Sequence, residues 1–127
     1  MNHIIVTTSF EVPGYEIEQV LGIVRGVTVR TRGMFYDMWA RFQMMLGGEV
    51  TPYSEMCEKA RSEAMERMLE DARLRGADAV IMVRYDSSSG EGGYTEFVCY
   101  GTAVRLRPAG GMDRVDHSSE IRKSQGE

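Results

Sequence analysis

The stretch from Thr51 to Asp86 constrains this chain most, because an amphipathic helix there runs almost directly into an apolar strand. Thr51 before Pro52 marks the start. Threonine can cap a free amide, and proline lacks the N–H that would have no partner in the first turn. Ser54 is a rival cap one turn later. At 100° per residue, Tyr53, Met56, Cys57, Ala60, Ala64, Met68 and Ala72, with Met65 and Leu69, share one broad side. Charged residues hold the other. Glu55–Lys59, Glu63–Arg67 and Asp71–Arg75 stand four apart with the acid first, the favourable order. Gly76 ends the helix as a left-handed residue would. The alanines predict that the helix lies close to whatever it covers. Arg61 falls inside the apolar stripe, so its stem packs while its head reaches water or a carboxylate. Ala79–Tyr85 follows after three residues and, rich in β-branched residues, predicts a buried strand.

The rest of the chain supplies a sheet for this helix. His3–Thr8 predicts a first strand and Pro13-Gly14 a turn. Tyr15–Thr31 predicts a long strand in which Gly22 and Gly26 mark bulges or bends. Phe35, Met38, Trp39, Phe42, Met45 and Leu46 have the spacing of a short helix with an aromatic face, stopped by Gly47-Gly48. Ser87–Gly93 predicts a flexible loop, and Thr95–Arg107 a final strand ended by Pro108. The expected fold is α+β in the order β-β-α-α-β-β: an antiparallel-rich sheet with one long and one short helix on one face. Residues 1–108 form one domain, and the polar residues 109–127 form a tail.

Val20, Leu21, Ile23 and Val24 put apolar groups on both sides of the second strand, more than two helices on one face can hide. Another copy of the chain is the simplest cover, and a closed symmetric assembly also removes open sheet edges. A homo-oligomer is therefore expected. A net charge of −4 gives no basic face for nucleic acid, and no apolar run approaches the roughly 20 residues that span a membrane. Two cysteines far apart, without a secretory leader, suit free thiols in a reducing cytoplasm.

Several short blocks occur together in order: Pro13-Gly14-Tyr15-Glu16-Ile17, Leu21-Gly22-Ile23-Val24-Arg25-Gly26, Gly47-Gly48-Glu49, Tyr53-Ser54-Glu55, Gly76-Ala77-Asp78-Ala79-Val80, Arg84-Tyr85-Asp86 and Tyr100-Gly101-Thr102-Ala103-Val104. Over about residues 3–108 the chain resembles the YbjQ family, labelled heavy-metal-binding. The resemblance implies a dodecin-like α+β subunit and ring-shaped pentamers, and it transfers no catalytic residues. Met34–Trp39 is more aromatic than the small-residue stretch usual in the family, and Asp78 stands where asparagine is common.

Three chemistries are open to these residues. Soft-metal binding would use Cys57 and Cys99 as ligands, with His3, His117 and some of the ten methionines as further donors. No CxxC, HxxxH or CxH spacing is present, and both cysteines also stand where core cysteines stand. Anion or nucleotide binding, or flavin-like storage in a ring, would use Arg84 with Ser87, Ser88 and Gly90. A hairpin loop, with the strand arginines paired to Glu16, Glu18 or Glu96, would leave no such site. Catalysis is not expected, because no histidine lies inside the central fold to activate Ser54 or Cys57. The sequence thus predicts a cytoplasmic, non-enzymatic binding protein whose partner is itself and whose cofactor, if any, is a soft metal ion.

Overall fold

Small side chains decide how near a helix can approach a sheet, and Ala60, Ala64 and Ala72 are fully buried beneath this one. The computed structural model describes residues 3–31, 33–34, 40 and 52–111. Its strands are β1 (Ile5–Val6), β2 (Tyr15–Thr31), β3 (Ala79–Gly90) and β4 (Tyr94–Pro108), and its long helix is α1 (Pro52–Leu74). A short 3-10 turn, Ala109–Gly111, follows β4. The aromatic helix expected over Phe35–Leu46, the Thr51 cap, His117 and the tail beyond residue 111 lie outside the described residues.

The four strands form one sheet in the order β1-β3-β4-β2. The β2–β4 and β3–β4 pairs are antiparallel, while β1 lies parallel to β3 through Ile5↔Ala79 and Val6↔Val80. The sheet is therefore mixed, and the described elements run β-β-α-β-β. The first strand is shorter than His3–Thr8 suggests because β3 bulges opposite its end. Met82 has a positive φ of 55°, and the register slips between Ile81 and Arg84. The amides of Met82 and Val83 then donate to the carbonyls of Ser9 and Thr7, both at 3.0 Å.

The two glycines of β2 do different work. Gly22 (φ 111°) sits at one of two register shifts, where the strand needs a conformation other residues resist. Gly26 is not at a bulge: it pairs in register with Cys99. A side chain there would meet the helix backbone, with Met68 N at 2.5 Å and Arg67 Cβ at 2.7 Å from its first carbon. Gly26 is the groove in which α1 rests. Beside it the buried Thr28 hydroxyl donates to the Ala60 carbonyl at 3.0 Å, so the one buried polar side chain among the described residues is satisfied.

Gly76 closes α1 as expected. The Ala77 amide donates to the Ala72 carbonyl and the Gly76 amide to that of Arg73, both at 3.0 Å, the paired bonds of a Schellman motif. Asp71–Arg75 forms at 3.3 Å. The expected Glu63–Arg67 pair gives way to tertiary contacts, Glu63 pairing with Arg30 of β2 and Arg67 donating to the Val27 carbonyl. Helix-surface charges so placed tie the helix to the edge strand.

The loop expected over Ser87–Gly93 is a correction. β3 continues to Gly90, pairing Ser87↔Phe97, Ser88↔Glu96, Ser89↔Thr95 and Gly90↔Tyr94, and only Glu91–Gly93 turn. Serines and glycines do not favour strands alone, but here the partner strand supplies the ladder.

The core lies between α1 and the sheet, built from Val24, Ala64, Met68, Ala72, Val80, Val83, Cys99 and Ala103. On the opposite face a smaller cluster of Val12, Ala79, Ile81 and Val104 covers only the Pro108 end of β4. Much of the remainder of that face is exposed among the described residues. Val24, under the helix, is 0% exposed, whereas its neighbour Ile23 is 70% exposed and Val20 is 62% exposed. Val29 and Tyr100 are exposed as well. Among the described residues no strand pairs with the outer side of β2, so a 17-residue edge stands open.

Candidate metal centre

The sharpest chemistry gathers around Cys99. It stands two residues after Phe97 in β4, on the same face, so its side chain points at α1, where it is fully buried. Across the sheet it faces Gly26 on one side and Tyr85 on the other. Because Gly26 has no side chain, α1 drops far enough for two of its methionines to reach the thiol. The Sγ of Cys99 lies 3.6 Å from the Sδ of Met68 and 4.0 Å from the Sδ of Met65. Met65 and Met68 are three apart on one helix, hence on neighbouring positions of one face.

The surroundings of these three sulfurs are apolar except on one side. Burial pushes the Cys99 thiol up from its ordinary pKa, and a hydrogen bond from the Tyr85 side chain opposes that shift. Tyr85 is itself raised, first by burial and then by the neighbouring Cys99, with Glu58 adding to the shift and Arg61 opposing it. Tyr85 is 47% exposed, so its ring is the boundary between solvent and the thiol. Arg61 lies over the Phe97 ring, 5.7 Å from its centre, and holds Glu58 at 3.2 Å. Its stem packs and its head stays at the surface.

The two cysteines proposed as joint ligands are free and buried in different clusters. Cys57 packs with Ala60 and Phe97, whereas Cys99 belongs to the main core. His3 is exposed near the start of the chain. Among the described residues no three or more His, Cys, Asp or Glu side chains converge as a metal site would require. The methionine partners of Cys99 could not be paired with it from the sequence, since the helix and β4 meet only in three dimensions. The available signal was the Met65/Met68 spacing on the same face as the alanine stripe.

The residues proposed for anions are placed otherwise. The Arg84 guanidinium donates to the carbonyls of Thr8 (3.2 Å) and Val83 (2.9 Å). The Ser87 amide donates to the Asp86 carboxylate at 2.9 Å. Ser88 and Gly90 sit in the β3–β4 ladder. Arg84 thus braces the N-terminal segment, and the Asp86 carboxylate occupies the Ser87 amide.

Comparison with known proteins agrees with this fold. The YbjQ family model, described as "Putative heavy-metal-binding", matches residues 4–107. A UPF0145 protein of Chromobacterium violaceum is 47% identical over 108 residues, 85% of this chain and 92% of that one. A UPF0145 protein of Burkholderia thailandensis is 44% identical over 106 residues, 84% and 96% of the two chains. A crystal structure of a protein of unknown function from the DUF74 family of Pediococcus pentosaceus superposes with a TM-score of 0.54 at 18% identity, covering 82% of this chain and 98% of that one. That likeness concerns the fold. None of these names carries an enzymatic activity, and among the described residues no helix is long and apolar enough to cross a membrane.

Proposed function

This chain belongs to the YbjQ family, and from that membership we propose that it is a cytoplasmic, non-enzymatic, self-assembling protein that binds a heavy metal ion through soft sulfur donors. The observation that carries the metal reading is the Cys99 thiol packed against two thioethers in a buried setting. Thiolate and thioether are the ligands soft ions prefer and hard ions do not. Among the described residues, Asp, Glu and His, which would recruit magnesium, calcium or a hydrolytic zinc, form no group of three or more that could hold a metal.

The test separates the two cysteines. Protein purified without chelator or affinity metal, then offered mercury(II), cadmium(II), silver(I) or copper(I), is expected to take up metal in proportion to chains. Cys99→Ser should lose that uptake and Cys57→Ser should keep it, as read by elemental analysis after desalting. Undiminished uptake by Cys99→Ser rejects the site.

Assembly rests on the apolar side chains of β2 that are exposed among the described residues. Val20, Ile23 and Val29 lie bare along a strand whose outer edge has no partner among the described residues. An open apolar edge of this length invites another strand, and a closed ring leaves none exposed. The family resemblance implies a ring of five. Sedimentation at micromolar concentration should give a mass several times that of one chain, and Ile23→Glu should lower it by setting a charge in the interface. A single-chain mass for the unmodified protein removes the assembly.

A further inference from the structure

We propose that Cys99, Met65 and Met68 form a three-sulfur site for a monovalent soft cation, copper(I) or silver(I), which enters past Tyr85. This rests on the heavy-metal reading above and narrows it by charge, geometry and access.

Charge comes first. One thiolate and two neutral thioethers carry a single negative charge, so a monovalent ion leaves the pocket neutral. A divalent ion would leave one uncompensated positive charge where Cys99 and Met68 are fully buried, and isolated buried charge is strongly unfavourable. Among the described residues no group of three or more His, Cys, Asp or Glu side chains converges to supply the missing negative charge. Binding displaces the thiol proton to solvent, one proton for each ion, so the filled site is electrically neutral.

Geometry agrees. A metal–sulfur bond of about 2.3 Å places two ligands of a trigonal ion about 4.0 Å apart. Cys99 Sγ already stands 3.6 Å and 4.0 Å from the two thioether sulfurs. Methionine's three rotatable bonds let each thioether sulfur adjust towards a shared ion. Three sulfurs in a plane suit copper(I) and silver(I), which accept low coordination numbers and soft ligands.

Access is on the β3 side. Tyr85 is the cross-strand neighbour of Cys99 and is half open to water. Turning its ring outward exposes the thiol without moving a strand. Tyr85 is thus a gate and not a ligand, which sets its expected behaviour apart from that of the sulfurs.

The experiment is a competition titration of the full chain with copper(I) held by a chromogenic chelator and with silver(I), alongside zinc(II), cadmium(II) and mercury(II). X-ray absorption on the copper-loaded protein then counts the sulfurs. The expected result is one copper(I) per chain with three sulfur neighbours. Met65→Leu and Met68→Leu keep the fold, since Leu and Met are close in volume. Each should remove one sulfur and weaken binding by at least the roughly 10- to 100-fold that losing an outer partner costs a metal site. Cys99→Ser should abolish binding, and Tyr85→Ala should speed loading while changing affinity little. Mercury(II) or cadmium(II) bound at Cys99 with no copper(I) or silver(I) uptake overturns this proposal and leaves the broader heavy-metal reading intact. Absence of uptake of any of these metals ends both. Copper(I) bound equally by both methionine variants, or with nitrogen or oxygen neighbours, overturns the three-sulfur site alone.

Discussion

Gly26→Ala is expected to destabilise the protein severely, and Gly26→Val to prevent it from folding. The first carbon of either side chain would overlap the Ala64 carbonyl oxygen and stand 2.5 Å from Met68 N and 2.7 Å from Arg67 Cβ. Those are main-chain atoms and a Cβ, which no rotamer change can move aside. The helix would have to lift as a body. Lifting it would strip cover from Ala60, Ala64 and Val24 and break the Thr28–Ala60 hydrogen bond. Overpacking commonly costs about 1–3 kcal/mol and more where nothing can yield, against a total stability of about 5–15 kcal/mol. A loss of at least about 3 kcal/mol is expected for alanine, measured by denaturant unfolding. Gly14→Ala is the control: it also has positive φ (88°) but open space around it, so its loss should stay near about 1–2 kcal/mol. A Gly26→Ala midpoint equal to that of the unmodified chain would show that the helix does not rest there.

The second large effect is expected at Met68. Its side chain is among the largest fully buried ones and touches both the strand thiol and the alanine stripe's neighbours. Met68→Ala removes three heavy atoms from the centre of the core and leaves a hole that rigid neighbours cannot fill. The expected cost is about 2–5 kcal/mol. Met68→Leu, nearly equal in volume, should cost less than about 1.5 kcal/mol. The pair separates packing from chemistry, because both variants lose the thioether but only one loses the volume. Equal losses for the two, read from urea midpoints at constant slope, would mean that the sulfur itself holds the fold.

What could be read from the residues was whatever depended on near neighbours. The alanine stripe, the Gly76 stop and the Gly22 bulge follow from helix periodicity and from backbone conformations that glycine tolerates, and the structure has all three. Gly26 was legible as a strand glycine but not as a seat for the helix, because the atoms that require it come from residues 64–68. Ser87–Gly90 misled for the same reason: its composition belongs to a turn, while its conformation is set by Tyr94–Phe97 across the hairpin. Cys57 and Cys99 were natural to pair as ligands because only type and number are visible in one dimension. The fold puts each in its own cluster and gives Cys99 two methionines instead. The apolar excess around Val20–Val24 was plain from residue parity, and the bare Ile23 beside the buried Val24 has that pattern.

The parallel pairing of β1 with β3 bears on how the chain is made. Ile5 meets Ala79 and Val6 meets Val80, and the Thr7 and Ser9 carbonyls wait for amides at Val83 and Met82. During synthesis Ile5 and Val6 therefore have no partner strand until β3 has followed them out. Contacts so distant along the chain close slowly. β1 cannot settle into the sheet before β3 exists, and a nascent chain stalled inside α1 would still hold it loose.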